Sequence, residues 1–209
     1  MPEQLSNSRA INHWISEHTP RGGRVLDIGC GEGDLLDRLV HERNVRGTGI
    51  ELNEACVVKA VQRGLSVHHG NVEEGLDHYA DGHFDLVVMS NTLQEMKDIP
   101  HALRESFRVG RRIAVVFPNF GHWRARWELG VRGKAPHTES FPHSWHNSPN
   151  RHFFTLRDWE NFCREEGWLI INRAFLRHGH FLRFLPNLRA EVGLYIVEGR
   201  LNGLMNAMT

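Results

Sequence analysis

The stretch RVLDIGCGEGDLLDRLVHER, residues 24–43, constrains the fold more than any other part of the chain. A short apolar run stops at Gly29, and Gly31 and Gly33 follow. Leu35, Leu36, Leu39 and Val40 then recur on one face of a helix. A brief apolar run bounded by glycine reads as a buried strand, and the recurrence after it reads as an amphipathic helix. The next segments repeat this unit. Strand-like runs at 46–52, 65–71, 83–91 and 111–119 alternate with helical runs at 54–64 and 93–110, the last interrupted at Pro100. Such alternation predicts a parallel sheet with helices on both faces. In sheets of this kind ligands bind beyond the carboxyl ends of the strands.

The second half has a different texture. Residues 121–154 are rich in His, Trp, Pro and Arg, with weak periodicity; a short helix is expected near 122–131, then a long loop. Residues 155–167 predict a helix with Thr155 as N-cap and Gly167 as terminator. Two strands follow, WLIINRAFL and AEVGLYIVEG. Their linker contains Pro186 and is expected to hold no helix, so the two should pair antiparallel, because a parallel pair needs a longer crossover. The expectation is one domain over residues 1–209, with a His- and Trp-rich insertion or lid over about 120–154.

The glycine turn narrows the ligand. A dinucleotide site uses G-x-G-x-x-G, but Asp34 stands where the third glycine belongs, and an acid there would repel a pyrophosphate. No G-K-[ST] follows, which excludes a P-loop. Glu51, at the end of the second strand, can accept hydrogen bonds from two ribose hydroxyls. After the third strand, Asn71 is placed to meet an adenine amino group and the Val72 amide a ring nitrogen. Cys30 in the turn, Leu52 beside Glu51 and Ser90 at the end of the fourth strand complete the expected lining. An adenosine pocket without a phosphate site points to S-adenosylmethionine or S-adenosylhomocysteine, with Asp27 and the turn backbone orienting the amino-acid end.

Composition excludes some classes. Lys+Arg and Asp+Glu both total 25, so there is no basic surplus of the kind that binds nucleic acid. Cys30, Cys56 and Cys163 are odd in number and widely spaced, which fits a reduced, cytoplasmic protein. The N-terminal residues lack the apolar core of a signal peptide, and no apolar run approaches the roughly 18 residues of a membrane span. Of 15 histidines, His137, His143, His146 and His152 crowd one loop, but without a helix to present them no metal site is expected. Trp123 and Trp127 lie four apart on one helical face, and Trp145 lies in the loop beyond. The first two suit a partner interface or core packing equally, and Trp145 suits a substrate lid or a protein interface.

Methyl transfer to a good nucleophile needs little beyond positioning and desolvation. Asn91, Glu95, His122 and Tyr79 are the candidate bases, and none belongs to a recognisable catalytic motif. Catalytic residues stay unassigned, and enzyme activity stays open.

VLDIGCGEGDLL, GIELN and FDLVVMSNTLQEM resemble the class I methyltransferase fold. That resemblance implies a doubly wound, Rossmann-like sheet of seven strands, mostly parallel, with the last antiparallel. The segments SNTLQEM, RVGRRIAVVFPNFGHWRARWELGVRGKAP and SWHNSPNRHFFTLRDWENFC resemble, more specifically, the MetW family of methionine-biosynthesis proteins. The similarity runs from about Arg24 to Cys163. Many methyltransferases carry Asp where Asn71 stands, which implies altered adenine recognition. The family resemblance implies a role beside homoserine O-acyltransferase (MetX), in a complex that supports acyltransferase activity. The acylation chemistry would be the partner's, since no G-x-S-x-G elbow occurs here. Two functions are therefore expected to compete: a ligand-binding regulatory subunit, and a methyltransferase acting on a small molecule.

Overall fold

The structure, a computed structural model, describes the backbone of residues 2–199 and the side chains of residues 7–199. The single-domain expectation extends to residues 1 and 200–209, which lie outside the described residues. In chain order the elements are helix α1 (Pro2–His18), β1 (Arg24–Ile28), α2 (Asp34–Arg43), β2 (Arg46–Glu51), α3 (Glu54–Gln62) and β3 (Ser66–His69). Next come β4 (Leu86–Ser90), α4 (Ile99–Val109), β5 (Arg112–Pro118), α5 (Trp123–Gly130) and α6 (Leu156–Glu165). The chain continues through β6 (Leu169–Arg177), β7 (His180–Phe181), α7 (Pro186–Arg189) and β8 (Val192–Glu198). Single turns of tighter helix span Val72–Glu74 and Leu93–Glu95.

The strands form one sheet in the order β3-β2-β1-β4-β5-β8-β6-β7. From β3 to β5 all pairings are parallel. β8, the last strand in sequence, runs antiparallel to both neighbours, β5 and β6. This is the doubly wound class I methyltransferase architecture, and it differs from the sequence expectation first at its far edge. An eighth strand is present, because the chain turns back at His178 and Gly179, both at positive φ, and pairs β7 with the end of β6. The linker to β8 also holds a helix after all. Pro186 starts the four-residue α7, in the first turn, where a missing N–H costs nothing.

Alternation along the central strands splits the core. Leu26, Val87, Met89, Val115 and Phe117 face α4 and α6, whose Leu103, Leu156 and Trp159 pack against them. Val25, Leu86, Val88, Ala114 and Val116 face the other way, onto Ile11, Trp14 and Ile15 of α1 and Leu35 and Leu39 of α2. Burial on both faces is what the continuous apolar strands require. The helix α1 had no counterpart in the sequence reading, although Ile11, Trp14 and Ile15 have helical spacing. Pro100 does not interrupt a helix; it lies in the first turn of α4, capped by Asp98 accepting from the His101 amide at 2.9 Å. The α6 start is as expected: Thr155 and Asp158 form a reciprocal capping box.

Candidate functional site

The carboxyl ends of β1, β2 and β4 surround a cavity of about 350 Å³, close to where the strand order reverses. Gly29, Glu51, Leu52, Asn71, Val72 and Ser90, all expected from the sequence, line it. Glu51 ties its walls together. One carboxylate oxygen accepts from the Gly31 amide at 2.8 Å and the other from the Asn53 amide at 2.7 Å. A carboxylate has about four acceptor positions, so capacity for two ribose hydroxyls remains. Leu52 is 66% exposed, an apolar side chain available to a planar base. The Asn71 oxygen caps the following turn by accepting from the Glu73 amide at 3.0 Å. Its amide nitrogen is the side-chain group then left for a ligand, and it donates where an Asp would accept.

The other expected residues sit behind this lining. Asp27 and Cys30 are buried. Loss of solvent, then the nearby Glu51 charge, pushes the Asp27 carboxyl up to about 7. Burial, with Asp27 and Glu51 adding, raises the Cys30 thiol to about 12, so it stays neutral. Gly33 borders α3 instead: a Cβ there would fall 2.3 Å from Leu65 Cδ1 and 3.3 Å from Ala60 Cβ. Asp34 forms an ion pair with Arg63, the residue that caps the end of α3, which also binds Asp37. The charge used above to argue against a pyrophosphate is therefore already paired, and Gly33 answers a packing demand.

The raised Asp27 carboxyl gives a testable pH dependence. A folded pKa above the unfolded one means the native state binds more protons, so stability falls as pH rises. The Asp27→Asn protein should gain stability over the wild type as pH rises from roughly 4, the ordinary carboxylate value, to about 7, and hold that gain above it. Denaturant titrations across this range measure it. A difference that is flat with pH would show that Asp27 ionises normally.

Gly29 is fixed by two constraints. Its φ is +73°, and a Cβ would meet Thr92 at 2.5 Å from Oγ1 and 2.7 Å from Cγ2. Thr92 is held there by donating to the Ile28 carbonyl at 3.0 Å. Gly29→Ala should cost roughly 2–5 kcal/mol, the sum of a left-handed backbone penalty and an overpacking term. In a Thr92→Ala background the cost should shrink to the backbone part. Equal costs in both backgrounds, read from urea midpoints, would remove the contact from the account.

A second, larger chamber of about 510 Å³ adjoins the first. Asn91 and Glu95 line both. Its other walls come from α1, from the loop after α5 and from Pro118 and Val192. Thr92 and Met96, which the sequence reading did not single out, line the smaller cavity. Their only signal was a polar and apolar cluster just after an apolar strand. Of the candidate bases, Asn91 and Glu95 reach the cavities. His122 is buried, and burial lowers its pKa to about 4; Tyr79 packs edge-on against Phe84. Neither lines either of these two cavities.

The aromatic residues of the second half divide. Phe141 is buried, and Trp123, Trp127 and Trp145 are 41%, 54% and 81% exposed. The α5 helix buries Ala125 and presents its tryptophans outward, which removes the core reading for them. Arg124 lies over the Trp123 ring at 5.6 Å. The four loop histidines form no ligand cluster among the described residues. Instead Glu139, His178 and Glu191 bring three possible ligand atoms within 4.8 Å, with His178 Nδ1 3.3 Å from Glu191 and 3.6 Å from Glu139.

Sheet order and site position define a protein of the class I S-adenosylmethionine-dependent methyltransferase fold. A methyltransferase structure from Listeria monocytogenes superposes with a TM-score of 0.69 over 92% of this chain and 98% of that one, at 15% identity. The profile of the family described as "Methionine biosynthesis protein MetW" matches residues 9–197, and the chain belongs to that family. A relative from Rhodopirellula baltica, "Bifunctional methionine biosynthesis protein MetXA/MetW", is 33% identical over 153 residues, 69% of this chain and 25% of that protein. The "27-O-demethylrifamycin SV methyltransferase" of Amycolatopsis mediterranei is 36% identical over 103 residues, 45% of this chain and 38% of that one. The chain thus spans a quarter to half the length of such curated relatives. No described helix is long and apolar enough to cross a membrane.

Proposed function

We propose that this chain is a subunit that binds S-adenosylmethionine or S-adenosylhomocysteine and supports or regulates a homoserine O-acyltransferase (MetX) in L-methionine biosynthesis. The observation that carries it is the Rhodopirellula baltica relative, whose name joins MetXA and MetW in one chain. Joining two modules raises their effective concentration; separate chains need an interface to do the same. Trp123, Trp127 and Trp145 supply exposed aromatic area of the kind that anchors such contacts. The smaller cavity would hold the nucleoside, with Glu51 on the ribose, Leu52, Asn71 and Val72 around the base, and Ser90 opposite. Asp27, Cys30 and the backbone of Gly29, Gly31 and Gly33 would shape the amino-acid end from behind, with residues 120–154 as insertion or lid over a single domain. The setting is read as cytoplasmic, consistent with three free cysteines.

S-adenosylmethionine lies downstream of methionine, so its binding would report end-product level if the two states of the complex differ in affinity for it. The test is a pull-down from native extract, then titration of the complex with both nucleosides. If neither changes complex affinity or acyltransferase rate, regulation by this ligand is wrong.

A second reading, a methyltransferase acting on a small molecule, is favoured by one observation: the larger chamber shares Asn91 and Glu95 with the smaller cavity. Conversion of S-adenosylmethionine to S-adenosylhomocysteine above buffer, with cell extract supplied, separates the two readings.

A further inference from the structure

We infer that the larger chamber is a binding site for a small organic amine, held as its ammonium ion. The inference goes beyond the proposed function and does not depend on it, because the two adjoining cavities share only Asn91 and Glu95 of their linings.

The lining is rich in acceptors and poor in cations. Glu95 and Glu139 border the chamber, and among the described residues no Lys or Arg does. Arg124 meets Glu139 at 3.5 Å from outside the lining, and His143 is the lining group that can carry positive charge. No hydrogen bond satisfies the Glu95 carboxylate among the described residues. Partial loss of solvent, with the Glu51 charge adding and His143 opposing, raises its pKa. Such a carboxylate gains from a nearby cation.

Gln94 is an independent sign. It borders the chamber and is only 5% exposed. Its Nε2 donates to the Asn91 carbonyl at 2.7 Å, which fixes the amide orientation, and its Oε1 is buried with no hydrogen-bond partner. A buried acceptor without a donor costs stability. An ammonium group brings three donors and a positive charge to Glu95 and Glu139, while a carboxylate or phosphate would meet like charge. Ile11, Pro118 and Pro142 provide apolar wall for the rest of such a ligand. The volume of about 510 Å³ is in the range of small-molecule sites.

The probes are tyramine and 4-hydroxyphenylacetate, which share a phenol body and differ in carrying an ammonium or a carboxylate. Calorimetry on the whole chain should find tyramine at least about tenfold tighter, a ratio that one charge-assisted hydrogen bond can supply. Glu95→Gln should weaken tyramine by a similar factor. Glu139→Lys, at an exposed position outside the smaller cavity, should shift preference toward the carboxylate and leave S-adenosylhomocysteine binding unchanged. Unchanged melting temperatures establish that the variants fold. Equal binding of the two probes, or folded variants that keep the wild-type preference, would overturn the inference. If S-adenosylhomocysteine binds and tyramine does not, this inference fails alone; if tyramine binds and the nucleoside does not, the cofactor reading fails alone.

Discussion

Replacing Glu51 with alanine is expected to weaken S-adenosylhomocysteine binding roughly 100-fold, the loss of about two hydrogen bonds to a charged acceptor. The expected loss is this large because Glu51 has two jobs. Its carboxylate oxygens hold the Gly31 and Asn53 amides, so the glycine turn and the start of α3 keep their relative position. In the proposed nucleoside site the same oxygens would be the acceptors for the ribose. Glu51→Gln keeps the shape and one acceptor oxygen, so it should fall between wild type and alanine. Isothermal titration on the three proteins gives the order. Alanine and wild type binding within threefold of each other would remove the nucleoside from this cavity.

The double substitution Trp123→Ala with Trp127→Ala is expected to weaken the proposed complex with an acyltransferase at least about 100-fold, since a buried tryptophan anchor is typically worth about 2 kcal/mol or more. The residues share one face of α5, so their effects need not add. Both side chains are substantially exposed in the lone chain, so folding stability should change little. S-adenosylhomocysteine affinity should also hold, because neither residue lines the smaller or the larger cavity. Pull-down or surface-binding measurements with purified partner decide the matter. An unchanged complex from a folded double variant would place the interface elsewhere.

Much of the architecture was legible because its signals are local. A strand that ends in glycine and a helix with apolar spacing declare themselves within twenty residues, and Thr155 announced the α6 start. Glu51 was legible for the same reason, since β1, α2 and β2 place it beside the glycine turn. The two-residue β7 was not, because two residues carry no period. The helix α1 was missed although Ile11, Trp14 and Ile15 stand at helical spacing; its start lies among polar residues that dilute the pattern.

The sequence by itself determined the parallel sheet and brought Gly29, Glu51, Leu52, Asn71, Val72 and Ser90 to its carboxyl edge. Only the tertiary structure decided which way a side chain serves. Asp34 turned to Arg63, Gly33 to Ala60 and Leu65, and Trp123 and Trp127 to the surface. The larger chamber also belongs to tertiary structure alone, with walls that run from Asn7 to Val192. The physical reason is range. Periodicity and turn chemistry act between residues a few positions apart, whereas a cavity wall and an ion pair depend on which distant segments the packed core brings together.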